Sequence, residues 1–339
     1  MKIIVDAFGG DNAPLSVIAG ARQAVDEQGV EILLVGDEER IKSCAAENGI
    51  SLSGMEILHT AAVITMHDEP GEIIKSKKDS SMAVALSALA AGEGDAFVSA
   101  GSTGAIVVGA TFIVKRIKGV KRAALCTYLP TATGHYLLTD VGANADCRAE
   151  MLAQFAVMAS VYLEKACGVR NPTVGLVNIG TEETKGGALQ LEAYDLLKKA
   201  PVHFIGNVEA RDLNSGVCDI AVADGFTGNV VLKLTEGVAA TLMGMIKGVF
   251  KRNFAGKLAA MMVMPGLKEL KKAMDYTEVG GAPLMGIAKP VIKAHGSSDA
   301  TAIKNAIRQA AAYAAGGVIE KISAELVALG KEPASNPAE

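Results

Sequence analysis

Along the chain, short apolar runs alternate with longer stretches whose apolar residues recur at helical spacing, from Met1 to about position 330. That repeated switch of period predicts βαβ units wound into a parallel sheet. Candidate strands are KIIVDA, EILLVG, MEILHT, DAFVSA, RAALCTYL, YLLTDVG, TVGLVNIG, VHFIGN, DIAVADG and VIKAHG. Ala-rich stretches between them, such as 81–91 and 146–165, predict the covering helices. The expected fold is α/β: a three-layer αβα sandwich on a mostly parallel, Rossmann-like sheet, forming one catalytic domain over residues 1–330. The polar tail KEPASNPAE (331–339) is expected to be disordered.

One region breaks the alternation. From about Met243 to Tyr276 there is no strand pattern, and the apolar run LAAMMVMPGL (258–267) has Lys and Arg on both sides. A projecting pair of helices over 243–276 is the expectation. The run is too short to span a bilayer but long enough to lie in its interface, where flanking cations meet anionic headgroups. A hairpin packed on the core or on a partner subunit is the other reading, since methionine is an ordinary gap-filler.

Composition narrows the picture. Half of the 339 residues are hydrophobic, yet only 4% are aromatic and none is Trp, so the core is built from aliphatic side chains, with 37 Gly available for turns. The five cysteines are widely spaced, with no CxxC pair and no Cys/His cluster at metal-ligand spacing, which predicts neither disulfides nor a bound metal. The N-terminus, MKIIVDAFGG, lacks signal-peptide architecture, and Lys233, Glu236 and Lys247 interrupt the most apolar region. These features predict folding in a reducing cytoplasm. A formal net charge of -4 argues against a nucleic-acid partner. Two basic stretches stand out against it: Lys115, Arg116, Lys118, Lys121 and Arg122, with no acid between them, and a second holding Lys247, Lys251, Arg252, Lys257, Lys268, Lys271 and Lys272. They predict solvated surface or docking of an acidic protein or anionic lipid.

Candidate chemistry lies in loops where a small polar residue precedes a helix. These are Ser80-Ser81, Gly101-Ser102-Thr103-Gly104, Asn144-Ala145-Asp146, Gly180-Thr181, Gly225 through Asn229, and Gly296-Ser297-Ser298. Strand-to-helix turns at the carboxyl ends of strands are where open α/β sheets bind ligands, and helix N-termini attract anions. The same residues also serve simply as caps. No Walker A motif is present and the first turn is not GxGxxG, so neither standard nucleotide device is expected; GxSxG and HExxH are absent too. Cys147 enters a helix from a loop, a position that can lower a thiol pKa, although a structural thiol is the commoner case. His295, between a strand end and a Ser-Ser helix start, suits acid-base work or holding its own loop.

Several strings carry a resemblance. DAFGGDNAP (6–14), MHDEP (66–70), KKDSSM (77–82), DAFVSAGSTGA (95–105), DVGANADCR (140–148), NIGTEETKG (178–186), FIGNVEARD (204–212), VADGFTGNVVLKLTEG (222–237) and GGAPLMG, followed by KAHGSSDATAIKNAI, closely resemble the PlsX family. The match runs over nearly the whole chain. The resemblance implies an acyl-[acyl carrier protein]:phosphate acyltransferase of phospholipid synthesis. Its fold would be similar to those of isocitrate and isopropylmalate dehydrogenases and phosphotransacetylase. It further implies a homodimer, peripheral membrane association and contact with a membrane glycerol-phosphate acyltransferase. The family's first loop often reads DAMGGDHAP; here Phe8 and Asn12 replace Met and His, so this loop has no imidazole, while Asn12 can still donate a hydrogen bond.

The implied reaction needs neither a cofactor nor a metal. Inorganic phosphate is already anionic and a thiolate leaves readily, so the protein has to place phosphate against the thioester of an acyl carrier protein and stabilise the oxyanion. From loop chemistry the assigned catalytic residues are His295, Lys185 and Asn229, with Ser102, Thr103, Asn144, Asn178, Thr181, Ser297 and Ser298 binding substrate. A phosphotransacetylase-like enzyme using acyl-CoA and a non-catalytic membrane-recruited scaffold are the alternatives.

Overall fold

The computed structural model describes residues 1–251, 258–266 and 280–329. Among them, eleven strands form one continuous sheet: β1 (Lys2–Asp6), β2 (Glu31–Gly36), β3 (Met55–His59), β4 (Ala96–Ser99), β5 (Ala124–Pro130), β6 (His135–Thr139), β7 (Thr173–Asn178), β8 (His203–Glu209), β9 (Ile220–Val222), β10 (Ala282–Met285) and β11 (Val291–Lys293). Their spatial order is β3-β2-β1-β4-β11-β10-β5-β6-β9-β7-β8. Each of the ten strands expected from the sequence is present. β10 was missed because it is short, follows two glycines and contains Pro283, which lacks an N–H for a ladder.

The sheet is mostly parallel, with a reversal at its centre. β3-β2-β1-β4-β11 pair in parallel, as do β6-β9-β7-β8. Between them β11/β10, β10/β5 and β5/β6 are antiparallel. Three reversals leave the two parallel halves running in opposite directions. The sequence places all the candidate loops at the carboxyl ends of strands, as if on one edge. Instead the loops after β4 and β11 leave one edge, and those after β6, β7 and β9 leave the other.

Alternate residues of the strands fall into different cores. Ile3, Val5, Ile32 and Leu34 join the cluster under α1 (Leu15–Gln28), α2 (Glu38–Glu47), α5 (Ala149–Ala166), α6 (Ala188–Leu197), α8 (Ala300–Ala315) and α9 (Val318–Leu329). Ile4, Leu33 and Val35 join the other, under α3 (Ser81–Ala91) and α4 (Thr103–Gly109). Both faces of the strands are therefore dry, which explains runs apolar at every position where a one-sided sheet would alternate.

The projection begins earlier than its sequence pattern suggests. A single helix, α7, runs from Gly225 to Lys251, and residues 258–266 are helical; the rest of 243–276 and the tail 331–339 lie outside the described residues. By length and mean hydropathy α7 is long enough to cross a bilayer. Beyond its first turn only Val231 and Leu232 pack partly against the core, while Phe226, Val230, Leu234, Val238, Leu242, Met245 and Val249 form an exposed stripe at helical spacing.

What seats α7 is a backbone contact. A Cβ on Gly228 would stand 2.0 Å from the Asp140 carbonyl oxygen, which only glycine tolerates. Gly228→Ala is therefore expected to destabilise the protein by about 1–3 kcal/mol. Gly237→Ala, farther along the same helix with open space at its Cβ, should be neutral or stabilising. Thermal melts of the two variants check this; equal effects would contradict it.

Candidate active site

Two buried carboxylates shape the loops around the site. Asp6, at the end of β1, accepts hydrogen bonds from Ser81 Oγ and Ser99 Oγ, both at 2.7 Å, and from the Phe8 N–H at 3.2 Å. Asp140, just beyond β6, accepts from the backbone N–H groups of Leu125, Ala143 and Asn144 and from Asn144 Nδ2. Donors surround each group, the pattern of an ionised carboxylate. Burial nevertheless pushes both pKa values up, opposed by those same hydrogen bonds. Much of the small-residue chemistry in the loops is thus spent on the protein's own anions. The Ser80-Ser81 pair caps α3 and holds Asp6, and the Asn144 amide is shared between Asp140 and the Ala123 carbonyl. Asp224 bonds the Thr227 N–H and hydroxyl at the start of α7, and Asp299 caps α8. Those two helix mouths already face carboxylates, which removes the simplest form of the helix-mouth anion cradle.

Between the two edges lies a cleft of about 470 Å³. The first half contributes Asp11, Thr103, Lys293, His295 and Gly296; the second contributes Val141, Gly142 and, from α7, Asn229, Lys233 and Glu236. Leu125 and Thr127 of β5 lie between. Lys293 is the least ordinary of these residues. Burial pulls its pKa down to about 8, with Lys233 adding repulsion and Glu236 and Asp11 opposing it. Lys233 is already paired with Glu236 at 2.8 Å, whereas Lys293 makes no ion pair or side-chain hydrogen bond with any described residue. A partly buried ammonium that no acid among the described residues touches is a place where an anion can bind.

His295 stands two residues on. Burial and the neighbouring Lys293 lower its pKa, so the ring is neutral near pH 7. The Ser297 N–H donates to Nδ1 at 3.2 Å and the Ser297 hydroxyl lies 2.8 Å from the same nitrogen, which puts the ring proton on Nε2. A neutral imidazole with Nε2–H is a hydrogen-bond donor. Asn12 donates to the Ser297 and Ser298 carbonyls at 3.1 and 3.3 Å and ties the first loop to this one. Phe8 lies under the Arg40 guanidinium at 4.5 Å.

The structure divides the ten residues assigned from sequence. Thr103, Asn229 and His295 line the cleft, with Ser297 bonded to His295. Ser298 is buried beside them, its hydroxyl without a hydrogen-bond partner among the described residues, and Ser102 caps α4. Asn144 sits in the wall, its amide committed to Asp140 and Ala123. Asn178, Thr181 and Lys185 are not among the cleft-lining residues. They follow β7, beyond β9 and one strand from the sheet edge, and Asn178 bonds the Lys185 carbonyl and the Ile179 N–H, closing its own turn. Lys185 is exposed. Sequence reasoning missed Lys293, Lys233 and Asp11, and also Asp6 and Asp140. The available signals were a lysine inside the strand VIKAHG and an Asp ending an apolar strand before a Gly-containing turn in both DAFGG and DVGAN. Cys147 is no thiolate: burial pushes its pKa up to about 11.

Known proteins resemble this chain along its length. A family model described as "Fatty acid synthesis protein" matches residues 1–321. A phosphate acyltransferase from Thermoanaerobacterium thermosaccharolyticum is 46% identical over 332 residues, 98% of each chain. One from Bacillus licheniformis is 49% identical over 312 residues, covering 91% of this chain and 93% of that one. The chain belongs to the PlsX family of phosphate acyltransferases. Among solved structures, a phosphotransacetylase from Streptococcus pyogenes matches with a TM-score of 0.64 at 19% identity, over 93% of this chain and 94% of that one, a likeness of fold.

For a PlsX-family enzyme, acyl transfer to phosphate calls for an anion site that keeps its charge. Burial lowers the Lys293 pKa, so the free enzyme loses that charge as pH rises through about 8. Accordingly kcat/KM for phosphate should fall across that range. In Lys293→Arg the charge persists and the decline should move to higher pH; comparing the two enzymes cancels the substrate's own titration. Superimposable profiles would remove Lys293 from the phosphate site.

Proposed function

We propose that this enzyme moves a fatty acyl group from the thioester of an acyl carrier protein to inorganic phosphate, and that the acyl phosphate feeds glycerol-phosphate acylation in phospholipid synthesis. The observation that carries the reading is the cleft itself, which offers a partly buried ammonium that no described acid touches, beside a histidine donor, and no activated nucleophile among its described lining residues.

The chemistry follows from those groups. Phosphate sits against the Lys293 ammonium, and one of its oxygens attacks the thioester carbonyl carbon. The carbonyl oxygen becomes an oxyanion, for which His295 Nε2–H and the Asn229 amide are the donors. Collapse breaks the C–S bond, the electron pair leaves on sulfur, and the thiolate takes a proton from water. Phosphate is the nucleophile, so no acyl-enzyme is needed, in keeping with the un-ionised Cys147. His295 acts in this account as a donor to the developing charge, where the loop pattern suggested proton transfer.

The exposed stripe on α7 supports a homodimer seam, and the exposed Leu258, Met261 and Met262 support peripheral contact of a cytoplasmic enzyme with the membrane that houses the glycerol-phosphate acyltransferase.

Purified protein mixed with an acyl-carrier-protein thioester and phosphate should yield acyl phosphate, trapped as the hydroxamate, at a kcat/KM well above that with acyl-CoA. Preference for acyl-CoA would favour the phosphotransacetylase-like alternative, and no product from either would sink both. His295→Ala should lower kcat about 10²–10³-fold, the usual cost of one oxyanion donor, with phosphate KM little changed. A change confined to KM would assign His295 to ground-state binding.

A further inference from the structure

A second groove, of about 310 Å³, opens beside the Asp140 loop. That loop separates it from the cleft: Val141 and Gly142 line the cleft, while Ala143 and Asn144 line the groove. α4 and the π turn that continues it (Ala110–Val114) connect the two, with Thr103 in the cleft and Thr111 and Phe112 in the groove. At helical rise that separation is roughly 13 Å. Phe112 is 63% exposed, the only Phe besides Phe226 so open among the described residues.

Arg116 and Arg122 of the first basic stretch line this groove, and the rest of that stretch lies beside them in the chain as its rim. Lys115, Lys118, Lys121 and Arg122 are exposed, while Ile117 and Val120 between them are buried and anchor the loop. Gln154 of α5 fixes it from below, accepting from the Lys121 N–H at 2.8 Å and donating to the Gly119 carbonyl at 3.0 Å. Arg116 bonds the Lys121 carbonyl, and the Ile117 N–H bonds Gly286. The opposing acids are Glu150, 3.5 Å from Lys121, and Asp146 in the groove. The cations remain in excess and are held on a rigid frame, so little entropy is lost when they meet a partner.

We propose that this basic rim docks an acidic carrier protein and that the groove guides its thioester-bearing arm along α4, past the Asp140 loop, into the cleft. The inference rests on the reading that the donor is a carrier-protein thioester. Charge complementarity selects an acidic protein, and the wall shared with the cleft selects this patch over Lys247 and Lys251, which lie far along α7 from Asn229.

The test pairs binding with turnover. Lys115→Glu/Lys118→Glu should weaken binding of purified acyl carrier protein about tenfold or more, with the wild-type affinity falling as salt is raised. The same variant should raise KM for the carrier thioester while leaving turnover of a carrier-free acyl-pantetheine thioester unchanged. Thr111→Trp, which fills the groove, should bind carrier normally yet lose most of its turnover with the carrier thioester. Unaltered carrier affinity in the charge-reversed variant, or no carrier binding by the wild type, overturns the docking site. Equal losses with both thioesters overturn it as well, since the damage would then lie in the cleft. If the wild type binds carrier through this rim but forms no acyl phosphate, the docking site stands and the proposed reaction falls.

Discussion

Two buried carboxylates hold the walls of the cleft, and the placement of its other groups follows from them. Asp6 draws Ser81, Ser99 and the turn after β1 together; Asp140 draws in the turn after β6 and the start of β5. A negative charge so deep is tolerable only while every lone pair is met. The geometry of the loops is therefore set by the carboxylates' demand for donors. Gly9 shows how tight this is: a Cβ there would fall 2.6 Å from Ser99 Oγ and 2.7 Å from Asp6 Oδ2. On the other wall, Gly228 lets α7 rest on the Asp140 carbonyl, and that contact delivers Asn229, Lys233 and Glu236 to the cleft.

The central reversal of the sheet gives the cleft its mixed lining. Had all eleven strands been parallel, the loops after β4, β6 and β11 would share one edge. With the halves opposed, the cleft runs over β5 from one edge toward the other. One end carries Lys293 and His295, and the other carries the Asp140 loop. The formal charges of the cleft's lining cancel, Lys233 pairing with Glu236 and Asp11 lying across from Lys293, but no described acid touches Lys293, and an incoming phosphate would offset the cost of its partial burial.

Much of the fold was legible because dry strands in a doubly covered sheet must be apolar on both faces, and such runs are easy to see. β10 was not, since Pro283 and two preceding glycines mask a strand held only by its antiparallel neighbours. The direction of each half was also hidden, because pairing partners are far apart in sequence. At the site, the motif pattern pointed to Thr103, Asn229, His295 and Ser297, which do meet. It also pointed to Asn178, Thr181 and Lys185, whose turn has the same small polar character but closes on itself at the far side of β9. A cap and a ligand contact use the same residue types, so the pattern alone does not separate them. Lys293 went unremarked because a lysine in a strand reads as an edge or a surface residue until its burial is known.

The claim most exposed to test is that phosphate binds between Lys293 and the Asp140 wall. A crystal grown or soaked in phosphate should show the anion within hydrogen-bonding distance of Lys293 Nζ, with His295 and Asn229 facing it, and should lose it in Lys293→Ala. An anion lodged instead in the 178–187 turn beside Lys185, with the cleft free of phosphate, would contradict the account.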